Sequence, residues 1–254
     1  MKLVRTRRTT IIAAAAAAVM LSAGIASASA HWTYEGVDGP AYWSELDPAY
    51  AACSDGSAQS PINITHPRAT PLKNLKFSYT MGIADVTNNG HTVQANANPG
   101  STMTVNGTTY PLLQIHFHAP GEHEVNGKKY PVEVHFVHKT DAGAIAVVGV
   151  LIEEGRHDNK NWEPLVKALS VPVNGHVSAA LNWSAMLPEN QQTFRYAGSL
   201  TTPPCSEGVA WNVMATPVKL SHRQIEAFMA AYEGNFRPVQ PLNNRSVLFD
   251  SSEG

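Results

Sequence analysis

The 254-residue chain contains only two cysteines, Cys53 and Cys205, and neither stands in a Cys-x-x-Cys pattern. Thiolate metal sites and dithiol redox chemistry are thereby disfavoured. No internal repeat, low-complexity linker or block of like charge interrupts the sequence, so nothing divides it into several domains. No second apolar span follows the one near the N-terminus, which argues against a membrane span in the rest of the chain. An excess of basic residues is missing too. Outside the first thirty residues, 14 Lys and Arg face 20 Asp and Glu, a net charge of -6 that makes nucleic acid an unsuitable partner.

What the first thirty residues do contain is a leader. Lys2 and three arginines precede an Ala-rich apolar run that closes on Ala-Ser-Ala, the form of a secretory signal peptide. The run from Ile11 to Ile25 is shorter than a usual membrane span. We therefore expect residues 1–30 to be a signal peptide and residues 31–254 to form one exported domain. Export also bears on the cysteines, because an oxidising compartment permits a disulfide between them. Such a bond would contribute roughly 4 to 5 kcal/mol on the chain-entropy model; two unpaired thiols are the alternative.

From His31 to Ala58 the chain is rich in aromatic and turn-forming residues and has no sustained period, which reads as an ordered, irregular arm. Short strands follow, with Leu75-Phe77-Tyr79, Ile83 to Val86, His91 to Asn96 and Met103 to Val105 as candidates. Their separators, Asn88-Asn89-Gly90, Asn98-Pro99-Gly100 and Asn106-Gly107, are turn formers. Ala144 to Glu153 reads as a strand buried on both faces. Two helices are expected, over Arg156 to Ser170 and Ser221 to Tyr232, the latter with a Ser221/Gln224 capping box and Gly234 as its stop. The fold class is mainly β, with few short helices on a large, mostly antiparallel sheet.

The chemistry concentrates between Gln114 and His138. On a strand, side chains two apart share a face, so His116 and His118 aim two imidazoles into one space. Asn126-Gly127 is a strong hairpin signal, and the returning run carries His135 towards them. Three neutral imidazoles suit a catalytic zinc that keeps a fourth position open. Gln114 and Glu133, each two positions from a histidine, are placed to orient the rings from behind. The spacing His116-x-His118-x3-Glu122 also resembles the first metal motif of cupins, in which the glutamate would be a ligand. The second cupin motif is not matched, since Lys139 stands where it expects asparagine.

A second resemblance covers nearly the whole chain after the leader. Gln59-Ser60-Pro61-Ile62-Asn63, Asn88-Asn89-Gly90-His91, Gln114-x-His116-Phe117-His118, Glu122-His123, Glu133-x-His135 and Gly198-Ser199-Leu200-Thr201-Thr202-Pro203-Pro204-Cys205 resemble signature blocks of the α-class carbonic anhydrases. Phe236 to Arg245 resembles their C-terminal block. The resemblance implies a zinc enzyme of the exported bacterial type, periplasmic or secreted, that interconverts carbon dioxide and bicarbonate through zinc-bound hydroxide. It implies zinc ligation by His116, His118 and His135, with Thr201 accepting the hydroxide proton and Glu122 accepting from Thr201. Thr202 would lie near bicarbonate, and Val137, Val147, Leu200, Val209 and Trp211 would wall the carbon dioxide pocket. His91 matches the proton shuttle, with Tyr34, Asn89 and Gln94 ordering the water between. Gln94 departs in type from the asparagine of animal members. His123 and His138 match structural hydrogen-bonding positions, and Cys53 and Cys205 match a disulfide. A side esterase activity is expected, and a homodimer is left open. A non-catalytic binding module on the same fold is the competing class; the intact histidines speak against it.

Overall fold

The computed structural model describes residues 30–252, so the expected leader lies outside the described residues except for Ala30. Within the described residues no helix is long and apolar enough to cross a membrane.

Two antiparallel strands form the middle of the fold. Thr108–His118 pairs with Val132–Lys139 so that His116 stands opposite His135, and His118 opposite Glu133. The alternation that placed His116 and His118 on one face therefore also fixes the third imidazole beside them. Asn126 and Gly127 take φ values of 51° and 77°, two successive left-handed residues as a type I′ turn requires. Their turn closes a small hairpin, Glu124–Val125 with Lys128–Lys129, which joins Asn63–Ile64 in a separate three-stranded sheet. That excursion hangs between the two histidine strands and carries Glu122 and His123 at its base.

Outwards from Thr108–His118 come Val93–Asn96, Met81–Asn88 and, at the edge, His176–Asn182, all antiparallel. On the other side Val132–Lys139 pairs with Ile145–Gly155, which is buried without a break from Ala146 to Ile152. This strand runs parallel to Glu207–Met214 and, further along, to Val218–Ser221. Thr193–Ser199 and Leu248–Asp250 continue the sheet antiparallel, and Arg68–Thr70 ends it with another parallel pair. The thirteen-stranded sheet is thus mixed: antiparallel pairs predominate, as expected, but parallel ones are built into it. The physical reason is the long connection between Gly155 and Glu207, since a parallel partner needs a crossover where an antiparallel one needs only a turn.

The expected helix over Arg156 to Ser170 shrinks to Glu163–Ala168. Pro164 lies in its first turn, where a missing N–H costs nothing. The residues before it are held instead by contacts outside any helix: Asn159 N donates to Gln224 Oε1 at 2.8 Å. The second helix, His222–Ala231, has the Ser221/Gln224 capping box in both directions. It ends on extended Tyr232, two residues before Gly234. Ahead of the sheet, the aromatic arm packs inward. Trp43 is fully buried and its indole N–H donates to Thr33 O at 2.8 Å, while Cys53 is bonded to Cys205 across 152 positions of sequence.

Candidate metal centre

The imidazoles of His116, His118 and His135 converge so that one nitrogen from each lies within 4.8 Å of the others. Which nitrogen faces inward is settled by what the other one meets. His116 Nδ1 donates to Gln114 Oε1 at 2.9 Å, His118 Nδ1 to the carbonyl of Asn235 at 2.6 Å, and His135 Nε2 to Glu133 Oε1 at 2.9 Å. Two Nε2 atoms and one Nδ1 are left to share the central space. Burial pulls all three imidazoles down, His118 to about 4, so the rings are neutral and carry lone pairs. The inward His118 Nε2 is buried and makes no hydrogen bond among the described residues. A buried polar atom left so costs about 1–3 kcal/mol, and three neutral imidazoles with such an orphan fit a divalent cation.

Gln114 and Glu133 are where the spacing put them, but Glu133 does more than orient one ring. Its Oε1 accepts from both His135 Nε2 and His123 Nδ1, and its Oε2 from the backbone N–H of Glu122 and of His123. Burial pushes this carboxyl up, yet the imidazoles and hydrogen bonds outweigh it and hold Glu133 well below the ordinary carboxylate range. The fit explains a glycine: a Cβ on Gly149, which stands opposite His135, would meet Glu133 Oε1 at 2.8 Å. His123 Nε2 in turn meets the Tyr196 hydroxyl at 2.6 Å, and His138 is fixed between the Tyr79 hydroxyl and Ala146 O. Both histidines are structural, as expected.

Glu122 is fully buried beside the trio, with Oε2 at 3.5 Å from His118 Nε2 and 4.0 Å from His135 Nδ1. It lies beside the three-imidazole group rather than within it. Its Oε1 accepts the backbone N–H of Arg237 at 2.8 Å. Burial pushes the carboxyl up to about 7, against the downward pull of His135, the Arg237 amide and the nearby Thr201 hydroxyl. Thr201 is close enough to exert that pull, but no well-formed hydrogen bond joins it to Glu122 Oε2, which has no partner among the described residues.

Sequence reasoning missed Asn235 and Arg237 as supports. The contacts that orient His118 and Glu122 come from the Asn235 carbonyl and the Arg237 amide, more than a hundred residues away, so side-chain spacing near the histidines does not reveal them. Asn235 adds its side chain, with Oδ1 accepting Ala119 N–H. The Arg237 guanidinium is buried as well, donating to Gln59 Oε1, Ser60 O and Cys53 O. It ties the C-terminal block to the N-terminal arm and its disulfide.

Val137, Val147, Leu200, Val209 and Trp211 lie together. Val137 stands opposite Val147, and Val147 opposite Trp211, in one row across three strands on the His135 face. Val209 and Leu200 pack in the same cluster. The Trp211 ring lies 4.9 Å from that of His135, and its N–H donates to Ser199 O at 2.9 Å. Thr202 follows Thr201, half-buried. His91 sits in the turn ahead of Val93–Asn96, its ring stacked on Trp32 at 3.8 Å and 9°; burial and nearby His31 pull it down. Asn89 spends its Oδ1 on the backbone N–H of His91 and Thr92. Gln94 stands opposite His116 and donates to Asn96 Oδ1 at 2.6 Å. Tyr34 belongs to the arm, and burial and the Glu122 carboxylate push its phenol up.

A family model described as eukaryotic-type carbonic anhydrase matches residues 38–251. The chain belongs to this family. It is 42% identical over 226 residues to a carbonic anhydrase of Klebsiella pneumoniae, covering 87% of this chain and 91% of that one. The α-carbonic anhydrase of Thermovibrio ammonificans, solved with the inhibitor sulfanilamide, is similar in structure with a TM-score of 0.83. It is 41% identical in sequence, with 87% of this chain and 100% of that chain covered. A dioscorin solved with ascorbate is also similar, with a TM-score of 0.79 at 31% identity over 86% of this chain and 97% of that one. By its family and relatives the chain is an enzyme, of the carbonic anhydrase class.

Proposed function

We propose that the chain catalyses the reversible hydration of carbon dioxide to bicarbonate with zinc held by His116 Nε2, His118 Nε2 and His135 Nδ1. The observation that carries the reading is the neutral three-imidazole cluster, each ring fixed from behind by a separate acceptor. Bound zinc supplies Lewis-acid activation, lowering the pKa of a coordinated water towards 7, an effect for which carbonic anhydrase is itself the long-known example. The chain's own residues do the rest. Glu122, with Oε1 held by Arg237 N–H, keeps Oε2 for the Thr201 hydroxyl, so that the Thr201 oxygen is left to accept a hydrogen bond from the substrate water and orient it. The charge of a bound cation draws the Glu122 carboxyl down, which keeps it an acceptor. The row Val137, Val147 and Trp211, with Val209 and Leu200, offers carbon dioxide a dry surface, and Thr202 lies at its border.

His91 carries the proton outwards. Imidazole is the side chain suited to shuttling protons, though burial and His31 pull this one down, with Tyr34, Asn89 and Gln94 lining the approach. A side esterase activity follows from the same centre. Export fits the Cys53–Cys205 bond, since disulfides persist in oxidising compartments, and residues 1–30 would be its signal.

Stopped-flow carbon dioxide hydration decides the matter: zinc-loaded protein turns over, chelator-stripped protein does not, and His91→Ala slows turnover about tenfold or more unless imidazole buffer is added. Zinc-loaded protein without turnover would overturn the reading. That outcome would favour a binding module, which the likeness to the ascorbate-bound dioscorin keeps in view.

A further inference from the structure

The strand His176–Asn182 forms one edge of the large sheet and pairs only with Met81–Asn88. One position before it, Gly175 O accepts the N–H of Asn88 at 3.2 Å. Hydrogen-bonded pairs alternate along an antiparallel ladder, so Val177, Ala179 and Leu181 spend their backbone groups on Met81–Asn88. The N–H and C=O of His176, Ser178, Ala180 and Asn182 therefore point out of the sheet. The next strand agrees: Asn89 N–H donates to Thr92 O, which turns Asp85 and Thr87, the alternate residues, towards Val93–Asn96. None of the four outward backbones has a hydrogen-bond partner among the described residues.

Natural edges are blunted by charged residues, proline or a bulge. His176–Asn182 holds no Lys, Arg, Asp, Glu or Pro, and its register with Met81–Asn88 runs without a shift. It is also complementary to itself. A two-fold axis through Ala179 sets a second copy antiparallel, with Ser178 opposite Ala180 and His176 opposite Asn182 of that copy, and both pairs are of the hydrogen-bonded kind. Between them Val177, which is 41% exposed, meets Leu181 of the second copy, and Ala179 meets Ala179. On the other face Ser178 and Ala180 are small enough to let the strands close. Charge does not oppose the contact. The one acid on the two strands is Asp85, opposite Ser178 and 3.4 Å from His176. Its symmetry mate would stand three strand spacings away, roughly 14 Å, beyond the Debye length of about 8 Å at physiological ionic strength.

We propose that two copies of this chain associate through His176–Asn182, joining their sheets across a two-fold axis into one continuous sheet. Ile83 and Met81, 55% and 73% exposed, stand opposite Ala180 and Asn182 and extend the apolar strip beside the seam. A seven-residue seam is about 24 Å long, so it covers less than the roughly 800 Å² per partner of a standard interface. Association is therefore weak and depends on concentration. The seam lies three strands from Thr108–His118, so hydration per subunit does not depend on it.

Sedimentation velocity of the zinc-loaded protein over a dilution series, with amide hydrogen exchange on the same samples, tests the pairing. The expected result is a dimer that dissociates on dilution, with the N–H groups of His176, Ser178, Ala180 and Asn182 protected in the dimer and exchanging freely in the monomer. Ala180→Lys sets two ammonium groups diagonally across the seam. Ser178→Pro deletes an outward N–H and leaves every bond to Met81–Asn88 in place. Each should weaken association about tenfold or more, with carbon dioxide hydration per subunit unchanged. Three results would overturn the proposal. They are a monomer at every concentration, a dimer that both variants leave intact, and protection of these amides already in the dilute monomer, which would put another segment of the same chain on the edge.

Discussion

Glu133→Gln tests how the metal centre is held. The carboxylate accepts four hydrogen bonds, two on each oxygen, and an amide cannot reproduce them in either orientation. With its oxygen towards the imidazoles, the amide NH2 confronts the backbone N–H of Glu122 and His123, leaving two buried donors unsatisfied at about 1–3 kcal/mol each. With its oxygen towards those backbone groups, the NH2 faces His123 Nδ1 and His135 Nε2. His135 must then accept at Nε2 and carry its proton on Nδ1, the atom that faces the other two histidines, so its lone pair is lost to the metal. Either way the substitution weakens the site. Loss of a hydrogen-bonding partner behind a ligand typically costs 10- to 100-fold in metal affinity, or about 1.4–2.7 kcal/mol. Competition for zinc against a chromophoric chelator, with urea unfolding of the same samples, measures both consequences. Zinc affinity within about twofold of the wild type, together with an unchanged unfolding midpoint, would refute the reasoning.

Gly149→Ala should disturb the same carboxylate from behind, through the 2.8 Å approach of its Cβ to Glu133 Oε1, and lower zinc affinity in the same assay; unchanged affinity would show that Glu133 can shift at no cost. Replacing Cys53 and Cys205 by serine opens a loop of 152 residues and should destabilise the protein by about 5 kcal/mol on the chain-entropy model, read from urea denaturation under oxidising conditions. His138 gives a pH dependence. Burial pulls it down to about 4 against the upward pull of the Ala146 and Phe136 carbonyls, while the Tyr79 hydroxyl donates to its other nitrogen. Below pH 6.5 the unfolded chain gains a proton that the folded one refuses, so stability falls between about pH 6.5 and 4 and levels off below that. The contribution is roughly 3 kcal/mol, and His138→Gln should remove that part of the acid slope in denaturant titrations.

Much of the centre was legible in the sequence because it is local and periodic. The two-residue spacing of His116 and His118 fixed their common face, and the same spacing put Gln114 and Glu133 behind their rings. The alternating run after Asn126-Gly127 returned His135 to them. The capping box at Ser221 and the buried strand from Ala144 were readable for the same reason. Other elements were not. The strands His176–Asn182, Thr193–Ser199, Glu207–Met214, Val218–Ser221 and Leu248–Asp250 were not placed from sequence, because several are short or interrupted and their pairing partners lie far away along the chain.

The sequence by itself therefore determined which imidazoles meet and in what chemical company, since strand period and turn type depend only on neighbouring residues. Tertiary structure alone decided two things. The parallel pairing of Ile145–Gly155 with Glu207–Met214 carries Trp211 to His135. The carbonyl of Asn235 and the amide of Arg237 orient His118 and Glu122, and every residue has such groups, so identity does not reveal them. Each depends on long-range backbone placement, where the energy lies in geometry rather than in residue type.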